Sequence, residues 1–88
     1  MRAVNMKKQN SRYGVGTSVY LVYNINEKYS VHEDMMAIHR VSEDDGGYHY
    51  SLRTKHDDPI DWCYEKDVFA SHVEAVVEAA RRNSLLEE

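Results

Sequence analysis

An Asp-Gly pair between two stretches of β-forming residues constrains the fold of this chain more than any other feature. Asp45-Gly46 is followed by residues 48–53, where aromatic and aliphatic side chains alternate strictly with polar ones. Alternation of period two places the apolar side chains on one face of a strand. Asp-Gly readily adopts the positive φ angles that a tight hairpin turn requires. The sequence therefore predicts a β-hairpin, and with it an antiparallel sheet.

Four other segments have the composition of strands. They cover residues 18–23, 30–42, 60–64 and 68–69, and they are rich in β-branched and aromatic residues. Both faces of the first segment are apolar, so we predict that this strand is covered on both sides. Segment 30–42 has no consistently polar face, which predicts a bent or bulged strand. A helix over Glu33–Ile38 is the alternative, because Glu, Met and Ala favour helices.

The C-terminal segment has a helical pattern. Ser71 and Glu74 have the spacing of a capping box, which predicts a helix over residues 72–83 and a frayed tail over 84–88. Glu78 precedes Arg82 by four residues, a spacing that favours an ion pair along the helix. The predicted core-facing stripe follows the spacing i, i+3, i+4, i+7 and consists of Val73, Val76, Val77 and Ala80.

Five short strands followed by one helix predict a mostly β fold. We expect a small SH3-like five-stranded antiparallel barrel with a C-terminal amphipathic helix that plugs one open end, in a single domain over residues 13–83. With 88 residues the core is thin, and a few large side chains must supply most of it. The predicted core residues are Leu21, Ile38, Leu52, Trp62 and Phe69. In segment 60–64 the alternation predicts that Ile60, Trp62 and Tyr64 point inward.

Several short motifs resemble a loose group of small uncharacterised proteins of phages, prophages and low-GC Gram-positive bacteria. The most specific motif is Tyr-Glu-x-Asp-Val-Phe-x-Ser-x-x-Glu-Ala, at residues 64–75, and weaker matches lie at 19–22 and 48–50. This resemblance implies an SH3-like barrel with a C-terminal helix and no established biochemistry. The motif also has a structural explanation, since it holds a strand end, a helix N-cap and a capping carboxylate.

The charges are unevenly distributed. Residues 1–12 carry four of the 11 basic side chains and none of the 15 acidic ones, so a +4 arm precedes a −8 body. An acidic body disfavours general nucleic-acid binding, because that affinity comes mainly from Lys and Arg on phosphates. We interpret the arm as a flexible, solvated tail. The alternative is an arm that contacts nucleic acid through Arg2, Lys7, Lys8 and Arg12.

The sequence offers no catalytic or metal-binding constellation. His32-Glu33 lacks the second histidine of a zincin motif, and His39 with His49 gives only two ligands even if they face each other across the hairpin. The acidic loop around Asp57 lacks the ligand spacing of an EF-hand. Cys63 has no sequence partner for nucleophilic chemistry. We therefore expect a protein without metal, cofactor or catalytic activity.

Tyrosine is unusually frequent, with seven residues against one Phe and one Trp. Aromatic side chains with a polar atom suit protein interfaces. The sequence thus suggests a protein-binding surface on the sheet, and the alternative is that the same rings build the core. The candidate binding residues are Tyr20, Tyr23, Tyr48, Tyr50 and Trp62.

Partners and location follow from weaker signals. A single cysteine and the lack of a long apolar run fit a cytoplasmic protein without a membrane segment. The acidic body favours a basic or neutral protein partner. Homodimerisation through an uncovered strand edge remains open, and an accessory or inhibitor of an enzyme fits the same features.

Overall fold

In the computed structural model, residues 11–87 are described and form a β-sheet with one helix. The strands are β1 (Ser18–Ile25), β2 (Lys28–Val31), β3 (Met36–Asp44), β4 (Gly47–Arg53), β5 (Pro59–Tyr64) and β6 (Val68–Phe69). A 3-10 turn at Glu65–Asp67 joins β5 to β6, and helix α1 covers His72–Leu86. All strand pairs are antiparallel, in the order β2-β1-β3-β4-β5, and β6 pairs with β1.

The mostly β class and the C-terminal helix are confirmed, and the strand count is corrected. The sheet has six strands rather than five, because the predicted strand over 30–42 is divided into β2 and β3. Both of these strands pair with β1, and the His32 amide between them still donates to the Leu21 carbonyl at 2.8 Å. The sheet is not closed, since in the described part of the chain β5 pairs with β4 alone.

Two tight hairpins set the register of the sheet. Asp45-Gly46 forms the predicted turn between β3 and β4, but the positive φ angle lies at the following residue, Gly47, where it is 114°. The Asp44 carboxylate accepts a hydrogen bond from the Gly46 amide at 2.8 Å. The β1–β2 turn is as short, with Asn26 and Glu27 at φ angles of 53° and 62°. Positive φ at two consecutive central positions matches the right-handed twist of a hairpin.

The main core lies on one face of the sheet. Its buried side chains are Val19, Leu21, Met36, Ile38, Tyr50, Leu52 and Val68. The prediction is confirmed for Leu21, Ile38 and Leu52. It is wrong for Trp62, which is 43% exposed.

A register shift explains the position of Trp62. Leu52 pairs with Ile60 and Tyr50 pairs with Cys63, so β5 carries one extra residue between these two pairs. Each added residue exchanges the two faces of a strand. Cys63 therefore packs against the main core, while Trp62 is displaced to the outer face.

Helix α1 packs on the face of β1 opposite the main core. Ala75 and Ala79 are buried there against Val22, with Tyr20, Tyr29, Val31 and Phe69 around them. Strand β1 is thus covered on both sides, as predicted. The helix does not plug an open end of the sheet, and the predicted stripe does not face the core: Val73, Val76 and Val77 are 69%, 45% and 63% exposed.

Hydrogen bonds and ion pairs fix the helix to the sheet. Ser71 caps it as predicted, accepting from the Glu74 amide at 3.3 Å, and α1 runs to Leu86 instead of ending at residue 83. The Asn83 amide group donates to the Tyr29 carbonyl at 2.9 Å and accepts from the Tyr29 amide at 2.7 Å. Arg82 pairs with Asp67 and, as predicted, with Glu78, both at 2.6 Å.

Candidate functional site

The five aromatic residues predicted to bind a partner do not share one surface. Tyr20 is half-buried beside α1, with its ring 5.2 Å from that of His72. Tyr23 is half-buried at the edge of the main core, on the other face of the same strand. Tyr50 is fully buried, so its assignment to an exposed binding surface is corrected: the ring belongs to the core.

The Tyr50 hydroxyl is the centre of a buried polar contact. It donates to the Glu65 carboxylate and accepts from the Tyr13 amide at 3.2 Å. Glu65 also accepts from the Arg12 amide at 2.8 Å. Burial, followed by the hydrogen bond to Glu65, raises the pKa of Tyr50 to about 12. This contact fastens the start of the described chain to the 3-10 turn.

Two aromatic side chains are exposed on the outer face of β5. Trp62 is joined there by Tyr64, which is 55% exposed. The Tyr64 ring lies 4.9 Å from that of His49 on β4, and the Lys66 ammonium lies 5.7 Å from its centroid. Sequence reasoning placed Tyr64 inside, because the β5 alternation gives no sign of the extra residue that reverses the face.

An acidic cleft opens beside these rings. A cavity of about 580 Å³ is lined by Glu43, Asp44, Asp45, Tyr48 and Glu65, with Arg12 and Gly47. Tyr48 lies on the face of β4 that carries Tyr50, whereas Tyr64 pairs with His49 and lies on the opposite face. A second cavity of about 550 Å³ shares Gly47, Tyr48 and Glu65 with the first and continues past the ends of β4 and β5 to Tyr64 and Lys66. We call Glu43, Asp44, Asp45, Tyr48, Tyr64 and Glu65 together the acidic-aromatic surface.

The acidic-aromatic surface combines two kinds of group that bind cations. Its four carboxylates attract the side chains of Arg or Lys, and the face of a tyrosine ring attracts a guanidinium or an ammonium group. One oxygen of Glu65 already accepts from the Tyr50 hydroxyl and the Arg12 amide. Asp44 is held in place by the Gly46 amide and lies 3.6 Å from the His49 ring nitrogen. The arrangement therefore fits a positively charged ligand of peptide size.

The histidine, cysteine and acidic side chains considered in the sequence analysis do not form a metal site or a nucleophilic site in residues 11–87. Residues 11–87 contain no group of three or more His, Cys, Asp or Glu side chains placed to hold a metal ion. His49 pairs with Ser42 across the hairpin, whereas His39 falls in the register shift between Ile38 and Arg40. Burial raises the pKa of the Cys63 thiol to about 11, helped by Asp67 and Asp61, so the thiol is protonated at neutral pH.

Of the four basic residues considered for nucleic-acid contact, three (Arg2, Lys7 and Lys8) lie outside the described residues. Arg12 is exposed and lies at the rim of the acidic cleft, next to Glu65 and Glu43. A phosphate bound at Arg12 would lie close to these carboxylates, which is electrostatically unfavourable. Arg12 also lines a cavity of about 470 Å³ with Lys66, Arg81 and Arg82, so only the side of Arg12 that borders the acidic cleft disfavours an anion.

No helix within residues 11–87 has the length and apolar character needed to cross a membrane. No protein-family model, curated protein or solved structure matches the chain. The resemblance to small phage and Gram-positive proteins therefore stays a prediction.

Proposed function

We propose that this protein is a non-catalytic interaction module of the cytoplasm, with an SH3-like fold, that binds a basic segment of a protein partner. The observation that carries the proposal is the acidic-aromatic surface, where four carboxylates and two tyrosine rings line adjoining cavities. This moves the binding site predicted from the sequence away from Tyr20, Tyr23 and Tyr50. Tyr48 is retained from that prediction and Tyr64 is added, whereas Trp62 is exposed two residues before Tyr64 but lines neither cavity.

The strand connections support the SH3-like assignment. β2 and β3 follow β1 as two halves of one bent path, and the 3-10 turn after β5 leads into β6, which returns to β1. A small sheet whose last strand returns to its first is the arrangement expected of a small, partly open barrel.

The charge balance supports a basic partner. The body of the chain after residue 12 carries 15 acids against seven bases, and four of those acids belong to the acidic-aromatic surface. Opposite charge raises the association rate and selects among partners. Exposed tyrosine and tryptophan side chains supply apolar contact area at a small entropic cost.

The test is an NMR titration of the isotopically labelled full chain with an Arg-rich peptide, a Glu-rich peptide of equal length and a single-stranded oligonucleotide. We expect the Arg-rich peptide alone to bind, with the largest amide shifts at residues 43–48 and 64–66. Asp45→Lys and Tyr64→Ala should each weaken binding by roughly tenfold, equivalent to about 1.4 kcal/mol.

Asp58→Lys is the matched control. Asp58 is exposed in the loop between β4 and β5, so this variant changes net charge as Asp45→Lys does but leaves the acidic-aromatic surface intact. If Asp45→Lys and Asp58→Lys weaken peptide binding equally, the effect is due to net charge alone, and the proposed binding site is wrong. Binding of the oligonucleotide in place of the peptide would overturn the proposed partner and support the nucleic-acid alternative.

A further inference from the structure

Helix α1 carries an apolar stripe that is not packed into the core of its own domain, although two of its residues, Val73 and Val77, line an open groove beside Phe69. The stripe consists of Val73, Val76, Val77 and Ala80, all exposed, and we call it the valine stripe. At 100° per residue it is centred about 130° from the buried pair Ala75 and Ala79. Residues at i, i+3, i+4 and i+7 form the kind of seam with which helices pair. The stripe is therefore a contact face without a partner inside the described chain.

We infer that the valine stripe binds the valine stripe of a second copy of this chain, with the two helices antiparallel. A two-fold axis between Val76 and Val77 sets Val73 of one copy against Ala80 of the other. The small Ala80 side chain leaves room for the opposite valine. The stripe is thus complementary to itself, as the interface of a symmetric dimer must be.

The charges beside the stripe select the antiparallel arrangement. Glu74 and Arg81 border the same side of the stripe, seven residues apart. In an antiparallel pair these like sides meet, so Glu74 of each copy faces Arg81 of the other and two opposite-charge pairs form. In a parallel pair, the side of one helix that carries Glu74 and Arg81 would instead meet the side of the other helix that carries His72 and Asn83. No Glu–Arg pair would form there. Arg81 already pairs with Glu78 at 2.6 Å, but its side chain is 60% exposed and can reach a second carboxylate.

The size of the stripe implies a weak dimer. Four small apolar side chains on each copy cannot reach the roughly 800 Å² per partner of a standard stable interface. Leu85 adds some contact area, because it is exposed on the same side of the helix as Glu74 and Arg81. In the proposed register it lies towards Phe69 and Val73 of the other copy. Those two residues line a groove of about 420 Å³ beside α1. Dimerisation should therefore depend on concentration.

The first test is sedimentation equilibrium of the full chain over a wide concentration range. We expect reversible dimerisation that Val77→Glu weakens by roughly tenfold or more. Val15→Glu is the matched control, because Val15 is equally exposed but lies outside the helix. A wild-type chain that stays monomeric throughout the range, or equal weakening by both variants, overturns the inference.

The second test examines the antiparallel register through Glu74→Arg and Arg81→Glu. Each single variant sets like charges against each other in its own dimer, so each should dimerise more weakly than wild type. Mixing the two variants should restore association, because each facing pair in the mixed dimer joins an arginine of one chain to a glutamate of the other. Circular dichroism of each variant checks that α1 is intact. Failure of the mixture to associate better than its components overturns the antiparallel pairing.

Discussion

The Tyr50 hydroxyl joins three parts of the chain that are distant in sequence. It donates to Glu65 in the 3-10 turn and accepts from the Tyr13 amide, while its ring is fully buried in the main core. A polar atom buried at such a position is costly when its partner is lost. The two hydrogen bonds of the hydroxyl explain why tyrosine, rather than phenylalanine, suits this position.

We predict that Tyr50→Phe lowers the free energy of unfolding by about 1–2 kcal/mol, because it leaves the Glu65 carboxylate and the Tyr13 amide short of one partner. Tyr64→Phe, at an exposed hydroxyl, should change it by less than about 0.5 kcal/mol. Urea denaturation followed by fluorescence measures both variants. If both substitutions change the free energy of unfolding equally, the buried Tyr50 hydroxyl contributes no more to stability than the exposed Tyr64 hydroxyl.

The same hydroxyl makes stability depend on alkaline pH. The pKa of Tyr50 is about 12 in the folded chain, above the ordinary value of 10.0. Folding therefore favours the protonated form, and this contribution is complete below pH 10 and lost as the pH rises from 10 towards 12. Wild type should lose more stability than Tyr50→Phe over that interval, measured by denaturation at a series of pH values.

At the scale of elements, small side chains determine which face of α1 packs on the sheet. The alanine pair lets the helix backbone approach β1, and Asn83 bonds both backbone groups of Tyr29 as a further strand would. Because those backbone groups are satisfied, this position on β2 is protected from pairing with another chain.

We predict that Ala79→Leu lowers the free energy of unfolding by about 1–3 kcal/mol, since the added atoms have no space between helix and sheet. Val76→Ala, on the exposed stripe, should change it by about 0.5 kcal/mol or less when measured at a concentration where the chain is monomeric. Thermal and urea denaturation distinguish the two variants. If Val76→Ala lowers the free energy of unfolding more than Ala79→Leu does, the valines rather than the alanines face the sheet, as the sequence predicted.

Arg82 fastens α1 to the 3-10 turn through its pairs with Asp67 and Glu78 and its bond to the Lys66 carbonyl. Its side chain is only 14% exposed, so Arg82→Met should lower the free energy of unfolding by about 2 kcal/mol. Arg81→Met, at a more exposed arginine, is the control and should have a much smaller effect. Urea denaturation at neutral pH measures both, and similar losses would contradict the proposed role of Arg82.

The Arg82 contacts also predict a response to acid. Hydrogen bonds from Arg81 and Arg82 lower the pKa of Glu78 to about 2, from 4.5. A depressed pKa stabilises the folded chain above pH 4.5, and this contribution is lost as the pH falls towards 2. The difference in stability between wild type and Arg82→Met should therefore shrink over that interval.

At the scale of the whole molecule, the two proposed contact surfaces share no residue. We propose a basic partner for the charged acidic-aromatic surface, and we infer that the apolar valine stripe binds a second copy of the chain. A chain with both can bind a partner as a weak dimer, which raises its apparent affinity for a partner that displays repeated sites.

Dimerisation through the valine stripe predicts that the melting temperature rises with protein concentration, because a dimer that forms only from folded chains stabilises the folded state by mass action. The Val77→Glu variant should show a smaller rise in melting temperature over the same concentration range, and Val15→Glu should behave like wild type. Scanning calorimetry at several concentrations makes the comparison. A constant melting temperature for wild type contradicts the prediction.

Much of the local structure could be predicted from the sequence. The Asp45-Gly46 hairpin, the strands, the Ser71 N-cap and the Glu78–Arg82 pair all follow from residues close together in the chain. The candidate site was predicted only in part. Tyr48 is in it, whereas Tyr50 is buried and Tyr64 was assigned to the inside.

The amino-acid sequence by itself determined the Asp45-Gly46 turn, most of the strand positions, the start of the helix and the charge asymmetry, because these depend on backbone preferences and side chains a few residues apart. Only the tertiary structure decided which faces became buried. One extra residue in β5 turned Trp62 and Tyr64 outward, and the fit of Ala75 and Ala79 against Val22 turned the valines of α1 to the surface. Burial depends on the shape and register of neighbouring elements, and a periodic pattern shows that a face is apolar without showing what covers it.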